Sequence, residues 1–218
     1  KYWLGLHNQK PVVISGILDD LHSHSADLLN RRLAEESITV QENFPLRPGK
    51  TAALALLAQP EQAESALIHH GFRRWGEIAD GMTENTFHQR LSQNGVATYV
   101  AGNALSESER EQVVQQLVGY DHIIISLHQM QLKAVRGFGI TEDMIKLINQ
   151  LAETRKATLV IFGSAYAVRK FRSAEDFHKI VFAYQETTYT LEATAAVVVN
   201  HARSKGQIPV MIKHNSDT

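Results

Sequence analysis

The sequence predicts an α/β protein: a three-layer α/β/α sandwich with a mainly parallel sheet, flavodoxin-like in its general architecture. The first observation is the apolar run 123–127, which contains three consecutive isoleucines and is typical of a strand covered on both faces. The second is that two further apolar runs, 157–163 and 179–184, follow it at helix-length spacing. Since strands that alternate with helices form βαβ units, we predict that these three runs are parallel strands of one sheet. The residues expected in its interior include Ile123, Ile125, Val160, Phe162 and Val181.

The elements before the central strand are predicted from periodicity and breakers. Helical spacing indicates a helix capped by Ser25 and running to about Ile38, with Leu28, Leu29 and Leu33 on its buried face. We then expect a short strand beginning at Thr39, a core strand over 51–57, an irregular segment over 58–82, a helix over 84–93 and a strand over 96–100.

The helices around and after the central strand carry clear start signals. Ser106 and Glu109 have the spacing of a capping box, which predicts a helix that buries Val113, Val114, Leu117 and Val118. Thr141 is predicted to cap the next helix, whose apolar residues pack inward. The last helix is expected over 188–203, and a terminal, edge strand over 206–212.

The composition limits the classes of function. The chain has 218 residues and a formal net charge of −1, and its lysines and arginines are spread along the sequence. No basic face therefore attracts nucleic acid by counterion release, and we predict no nucleic-acid partner. No apolar run approaches the ~20 residues of a membrane span, so none is predicted. The absence of cysteine excludes disulfides and thiolate catalysis, and the localisation stays open.

Common cofactor and metal motifs are missing. After Leu57 the chain continues with Ala58-Gln59-Pro60 instead of a glycine-rich phosphate loop, so no nucleotide cofactor is expected. His22, His24 and the pair His69-His70 lack a companion carboxylate at ligand spacing, and we interpret them as solvated side chains. The prediction is therefore that the chain holds no cofactor and no metal.

No nucleophile is assigned either. Ser126 and Ser164 lack the glycine pattern of a nucleophile elbow, and neither belongs to an assignable triad. We interpret both as hydroxyls at strand ends.

The ends of the predicted strands indicate where a site lies. In an open parallel sheet the ligand crevice lies beyond the carboxyl ends of the strands. Here those ends are the segments 128–139, 163–166 and 184–187. The first is long and rich in hydrogen-bonding side chains, namely His128, Gln129, Gln131 and Arg136, and it ends in Gly137-Phe138-Gly139. Such a loop suits a ligand or a neighbouring domain, and an ordinary crossover loop accounts for it equally well.

The order of several short segments resembles family 3 glycoside hydrolases. The sequence Lys1-Tyr2-Trp3-Leu4-Gly5-Leu6, then 34–40 and Asn43-Phe44-Pro45-Leu46, is similar to the junction where the catalytic (β/α)8 barrel joins its C-terminal α/β domain. Later segments are similar to successive strand ends of that domain, namely 120–125, 160–168, 183–185 and 206–210. The resemblance covers nearly the whole chain, although residues 58–82 depart from it as an insertion does.

The resemblance implies a retaining glycosidase whose nucleophile is an aspartate on the barrel. Retaining hydrolysis needs a second acid group close to the scissile bond. In the β-glucosidase branch a glutamate in the loop after the strand matching 123–127 supplies it, whereas the β-N-acetylglucosaminidase branch uses a His-Asp pair on a barrel loop. Here the loop 128–140 contains no aspartate or glutamate, which favours the second branch. We therefore expect no catalytic residue in this chain, and leave open whether Glu77, Glu84 or Glu186 reaches the site from another loop.

Two classes of function remain. In the first, residues 25–218 are the non-catalytic C-terminal domain of a β-N-acetylglucosaminidase-like enzyme, residues 1–24 are the arm that follows its barrel, and the isolated chain is inactive. The partners implied are the barrel of the same polypeptide and, in the full-length enzyme, a carbohydrate. The second class is a free-standing flavodoxin-like module that binds a small ligand.

The resemblance also implies which edge of the sheet faces the barrel. His128, Arg136, Phe138 and Tyr184 lie on or beside strand-end loops, and we predict that they face the barrel or the substrate. Domain interfaces mix aromatic and arginine anchors with polar groups. We therefore expect Phe138 to be more exposed than phenylalanines usually are, in a mobile loop. The alternative is that its ring fills the core of this domain.

Overall fold

The structure is a computed structural model that describes residues 2, 3, 8, 23–46, 48–58, 73–74, 86–199 and 202–208. Its helices are α1 (His24–Ser37), α2 (Thr86–Gln93), α3 (Glu107–Val118), α4 (Glu142–Glu153) and α5 (Thr188–Val199). Its strands are β1 (Thr39–Glu42), β2 (Thr51–Leu57), β3 (Arg73–Arg74), β4 (Ala97–Ala101), β5 (His122–His128), β6 (Ala157–Ile161) and β7 (Lys179–Phe182). Short 3-10 segments, Ala134–Gly139, Ala165–Lys170 and Ala174–Asp176, lie in the connections.

These strands form one sheet in the order β1-β7-β6-β5-β2-β4-β3. The strands β7, β6, β5, β2 and β4 are parallel, and β1 and β3 are antiparallel to their neighbours at the two edges. The predicted α/β fold with a mainly parallel sheet is confirmed. The next parallel strand in the chain, β4, pairs with one side of β2, and β5 pairs with the other. The strand order therefore reverses between β2 and β5.

Both faces of the sheet are covered by helices, as the run of isoleucines predicts. Ile123 and Ile125 point to the face covered by α3 and α4. Ile124 points to the face of α1, α2 and α5 and is only 5% exposed. A half-solvated strand would leave one of these alternate positions in water. The five residues predicted for the interior are all buried, namely Ile123, Ile125, Val160, Phe162 and Val181.

The predicted helix starts of α3 and α4 are confirmed. The hydroxyl of Ser106 accepts from the amide of Glu109, and the Glu109 carboxylate accepts from the amide of Ser106, which completes the capping box. The hydroxyl of Thr141 accepts from the amide of Met144 at 3.3 Å. On α3, Val113 and Leu117 are buried as expected, but Val118 is exposed at the last turn.

The buried face predicted for α1 is wrong. The helix begins at His24, and its cap is Ser23, two residues before the predicted Ser25. Three leucines of the predicted buried face have 52–56% of their surface in solvent, namely Leu28, Leu29 and Leu33. The helix instead packs through Ala34 and through polar contacts to α5, because Tyr189 donates to Asp27 at 2.7 Å. Helical spacing of leucines identifies an apolar face, but in this domain that face has no helix or sheet against it among the described residues.

The other boundaries differ by a few residues. The last helix ends at Val199 instead of continuing to residue 203. Of the predicted terminal strand, residues 206–208 are not in a strand and 209–212 lie outside the described residues. Within 58–82 the structure describes Ala58 and the short strand β3, which pairs with β4. The remaining residues of that segment, and most of the predicted arm 1–24, also lie outside the described part.

Candidate functional site

A set of four polar side chains connects the buried face of β5 to the carboxyl edge of the sheet. Nδ1 of His128 lies 2.8 Å from Oε1 of Glu186, and Nε2 of His128 lies 2.9 Å from the hydroxyl of Ser126. The same hydroxyl lies 2.8 Å from Nε2 of His88. We call these four residues, His88, Ser126, His128 and Glu186, the polar chain.

The local structure explains why these residues meet. Alternate residues of a strand point to the same face, so Ser126 and His128 both point from β5 toward α2. His88 lies on α2 beside Phe87, which packs against the same face of the sheet. The rings of Phe87 and Phe162 lie within 6.1 Å and 4.8 Å of the His128 ring, measured between centroids. His88, Ser126 and His128 are therefore buried beside aromatic side chains and have no solvent-accessible surface.

Glu186 approaches from the turn after β7. Its Oε1 contacts His128, and its Oε2 accepts from the backbone amide of Gln129 at 2.7 Å. About a quarter of its side-chain surface, 26%, is exposed. Burial raises the pKa of Glu186, but the hydrogen bond and the charge of His128, together with the Gln129 amide, outweigh burial and hold the pKa below the ordinary 4.5. The carboxyl group is therefore ionised at neutral pH.

His88 is the neutral end of the polar chain. Burial lowers the pKa of His88 well below the ordinary 6.5, and the charge of the neighbouring His128 adds to that shift. Because His88 is neutral, its Nε2 atom is either the donor to Ser126 or the acceptor from it, according to the tautomer.

The hydrogen bonds of the polar chain can run in two directions, according to whether His128 is neutral or protonated. If His128 is neutral and donates from Nδ1 to Glu186, its Nε2 accepts from Ser126, and His88 donates to Ser126. If His128 is protonated, its Nε2 donates to Ser126, which in turn donates to His88. Each hydrogen bond along the four side chains is made in both states, provided that His88 changes its tautomer between them.

The order of carboxylate, imidazole and hydroxyl is that of hydrolases with a serine nucleophile. Ser126 and His128, however, have no solvent-accessible surface. A substrate carbonyl cannot reach the hydroxyl, and the interpretation that Ser126 is not a nucleophile fits the structure. Its position differs from the expectation, since Ser126 lies inside β5 and not at its end. Ser164, by contrast, does lie after the end of β6.

The residues that follow His128 form a tightly folded loop, 129–140, which we call the strand-end loop. It begins with Gln129 at a φ of 53° and closes with Gly137, Phe138 and Gly139 at φ of 61°, 60° and 77°. The amide of Gln131 donates to the carbonyl of Phe138 at 3.0 Å, which ties the two ends of the loop together.

The expectation that Phe138 is exposed is wrong. Only 5% of its surface is accessible, and its ring belongs to the apolar cluster on the α3 and α4 face. The reason is the left-handed backbone at Gly137 and Phe138, which turns the chain back under the loop. The large apolar side chains that the strand-end loop exposes are instead Leu132 and Val135, at 87% and 91%.

The remaining predicted site residues occupy different positions. Arg136 is exposed on the strand-end loop. Tyr184 is partly buried, stacks on Phe182, and donates from its hydroxyl to Thr39 at 2.9 Å. His128 is fully buried in the polar chain. The four predicted residues therefore lie around one sheet edge, but Arg136 is the only one of the four that is exposed.

Sequence reasoning missed the polar chain. It treated His128 as a loop residue and left Glu186 open, and it gave no role to His88. One signal was present: Ser126 and His128 alternate within an otherwise apolar strand, so both polar groups had to find partners in the interior. Glu77 and Glu84, the other carboxylates left open, lie outside the described residues.

Neither a cluster of metal-ligating side chains nor a membrane-spanning helix occurs among the described residues. Within them, no group of three or more His, Asp or Glu side chains is placed to hold a metal ion. None of the described helices combines the length and apolarity needed to cross a bilayer.

No protein-family model matches the sequence, and no curated protein matches it. Solved structures do share its fold. A family 3 β-N-acetylglucosaminidase from Paenibacillus sp. str. FPU-7 matches 92% of this chain with a TM-score of 0.56 and 16% identity. The β-glucoside phosphorylase BglX matches 94% with a TM-score of 0.61 and 14% identity. A fungal multi-domain family 3 β-N-acetylglucosaminidase matches 92% with a TM-score of 0.60 and 16% identity.

These neighbours are much longer than the matched region. The chain spans 35% of the Paenibacillus enzyme, 35% of BglX and 21% of the fungal enzyme. Its fold is therefore that of one domain found in family 3 glycoside hydrolases, and the match covers most of this chain.

Proposed function

We propose that this chain is the C-terminal α/β domain of a glycoside hydrolase that removes terminal β-linked sugars, specifically β-N-acetylglucosamine. In this proposal the domain supports a catalytic barrel and supplies no catalytic group. The shared fold supports the glycosidase class, and two of the neighbours described above are named β-N-acetylglucosaminidases. The third is named a β-glucoside phosphorylase, so the fold by itself does not select the sugar.

The proposal that this domain supplies no catalytic group rests on the protonation state of Glu186, the carboxylate at the sheet edge. The strand-end loop contains no aspartate or glutamate. Glu186 does reach this edge, but both of its oxygens accept hydrogen bonds and its pKa is lowered. A general acid must hold a proton at the working pH, which requires a raised pKa. Glu186 is an ionised acceptor and is therefore unsuited to protonate a leaving group.

The proposed partner is an N-terminal (β/α)8 barrel in the same polypeptide, joined through residues 1–24. It would supply the nucleophile and the acid that retaining hydrolysis requires. The fraction of the neighbours that this chain spans supports a domain of a larger enzyme.

We propose that the edge around His128, Arg136, Phe138 and Tyr184 faces this barrel. The exposed members of that edge are Arg136 together with Leu132 and Val135 of the strand-end loop. Exposed apolar side chains beside an arginine are typical of a protein interface. His128 and Phe138 would act from beneath, by holding the loop that presents these side chains.

Two experiments test the proposal that this domain supplies no catalytic group. One uses this chain alone, and the other uses Glu186→Gln in the full-length enzyme. The chain alone should release no chromogenic leaving group from a β-N-acetylglucosaminide. In the full-length enzyme kcat/KM should fall by less than about tenfold, whereas loss of a general acid lowers the rate by about 10²–10⁴-fold. A loss of that size, or activity of the isolated chain that one substitution within it abolishes, would overturn the proposal.

The contact with the barrel is tested separately with Arg136→Ala. This substitution should lower the activity of the full-length enzyme while the isolated chain keeps its melting temperature. Equal destabilisation of both proteins would show that Arg136 supports only its own loop.

The alternative of a free-standing flavodoxin-like module is disfavoured by the packing at the strand reversal. A ligand crevice would lie there, between the carboxyl ends of β2 and β5. A Cβ atom on Gly139 would lie 2.8 Å from the carbonyl oxygen of Ala58, and Phe138 fills the space beneath. The described part of the crevice is thus occupied by the strand-end loop.

A further inference from the structure

The strand-end loop has an unfavourable backbone at both ends. Gln129 and Phe138 have φ of 53° and 60°, in the left-handed region that non-glycine residues rarely adopt. Such conformations persist only where the surrounding structure holds them. The groups that hold the two ends therefore determine whether the loop stays folded.

The two ends are held by different interactions. At the far end the ring of Phe138 is buried in the apolar cluster, and Gly139 packs directly on Ala58. At the near end the amide of Gln129 donates to Oε2 of Glu186, whose other oxygen bonds to His128. The far end is thus held by apolar packing, whereas the amide of Gln129, where the left-handed turn begins, is held by one carboxylate.

We propose that Glu186 is the latch of a lid: its carboxylate holds the strand-end loop over the crevice between β2 and β5, and protonation of the carboxylate releases the loop. An ionised carboxylate can accept from Gln129 and His128 at the same time. A protonated carboxyl group gains a donor, loses acceptor capacity, and no longer attracts a protonated imidazole. The near end of the loop then loses the group that offsets the strain at Gln129.

Among the described residues, the titratable side chain in contact with Glu186 is His128. The titratable groups of the polar chain are His128 on β5 and His88 on α2, and the adjoining side chains of α2 and β6 are the apolar Phe87 and Phe162. The folded-state pKa of Glu186 lies below 4.5, so the latch is closed at neutral pH. It opens as the pH falls through that lowered pKa.

Trypsin cleavage tests the latch at neutral to mildly basic pH, because the strand-end loop contains two exposed trypsin sites, Lys133 and Arg136. Glu186→Gln removes the charge and replaces one of the two accepting oxygens with an NH2 group, which cannot accept from Gln129 or from a donating His128. Cleavage after Lys133 or Arg136, located by mass spectrometry, should become about tenfold faster or more, as expected for loss of a charge-assisted hydrogen bond.

The matched control is Glu192→Gln, since Glu192 is also 26% exposed and bonds to two partners, Arg31 and Arg90. Equal rates for wild type and Glu186→Gln, or the same increase for Glu192→Gln, would overturn the proposal.

A second measurement needs no variant. The amide resonance of Gln129 and its hydrogen-exchange protection should change together as the pH of the wild-type chain falls from neutral to below 4.5. The amide of Ala58, which donates to the carbonyl of His128, should keep its protection at the same pH. A Gln129 amide that does not respond to pH, or that loses protection only together with Ala58, would show that no separate latch exists. This test is independent of the glycosidase proposal, because it reports only on the loop of this chain.

Discussion

Nδ1 of His128 and Oε1 of Glu186 lie 2.8 Å apart, although the two residues are separated by 58 positions in the chain. His128 ends β5 and Glu186 follows β7, and β6 lies between these strands in the sheet. The bond therefore reaches across the carboxyl end of β6 and ties the ends of β5 and β7 together. Because Glu186 also accepts from Gln129, the same side chain positions the start of the strand-end loop.

The hydroxyl of Ser126 should contribute measurably to stability. It bridges two buried imidazoles, so Ser126→Ala leaves His88 and His128 facing a methyl group. Loss of a buried hydrogen-bond partner destabilises by about 1–3 kcal/mol. Ser164→Ala is the control, because the Ser164 hydroxyl makes no capping bond to the segment that follows it. Urea denaturation should show the loss only for Ser126→Ala, and an unchanged free energy of unfolding for both variants would contradict the described network.

Phe138 and Val135 should respond in opposite ways to truncation. Phe138→Ala removes a ring from the core and should destabilise the chain by about 3–5 kcal/mol. Val135→Ala removes methyl groups that are 91% exposed and should change the free energy of unfolding by less than about 0.5 kcal/mol. Thermal or urea unfolding of both variants measures the difference. A large effect of Val135→Ala would mean that this loop packs differently.

The position of Phe138 shows why the fold was easier to predict than the site. The central strand and the caps of α3 and α4 depend on neighbours within a few residues, which periodicity and spacing describe directly. The burial of Phe138 depends instead on the left-handed turn at Gly137 and Phe138. A phenylalanine between two glycines does not identify which way such a turn directs its ring.

The polar chain and the leucines of α1 illustrate two further limits. The partners of Ser126 lie 38 positions away at His88 and two at His128, and the first contact depends on the packing of α2 against the sheet. The spacing of Leu28, Leu29 and Leu33 correctly identifies an apolar helix face. It does not reveal whether the element that covers that face belongs to the same domain.

The capping box of α3 should make a separate and smaller contribution to the free energy of unfolding. Ser106→Ala removes the hydroxyl that accepts from the amide of Glu109, and the free energy of unfolding should fall by about 1 kcal/mol. Ser108→Ala is the control, because Ser108 lies in the same turn and is also exposed; its hydroxyl lies 3.3 Å from that of Ser106 but accepts from no backbone amide of the helix. Chemical denaturation of the two variants under identical conditions should separate them. Equal losses would mean that the first turn depends on serine content and not on the cap.

Stability should decrease as the pH falls below 6.5, in part because of His88. Burial holds the pKa of His88 well below 6.5 in the folded state, whereas the unfolded chain takes up a proton near that value. Below pH 6.5 the unfolded state therefore binds the proton more strongly, and the free energy of unfolding falls by up to about 1.4 kcal/mol per pH unit for this one group. The contribution is fully present above pH 6.5 and is lost as the pH falls toward the lowered pKa.

Other titratable groups add to this pH dependence of stability, and one variant isolates the contribution of His88. Burial also lowers the pKa of His178, which acts in the same direction, and Glu186 adds a further loss only below 4.5. His88→Gln keeps a side chain that can bond to Ser126 but cannot be protonated. Between pH 6.5 and 4.5, the urea midpoint of this variant should fall less steeply than that of the wild type, whereas His24→Gln, at an exposed position, should follow the wild type. Parallel curves for wild type and His88→Gln would contradict a neutral, buried His88, because the unfolded state of the variant lacks the proton that drives the decrease.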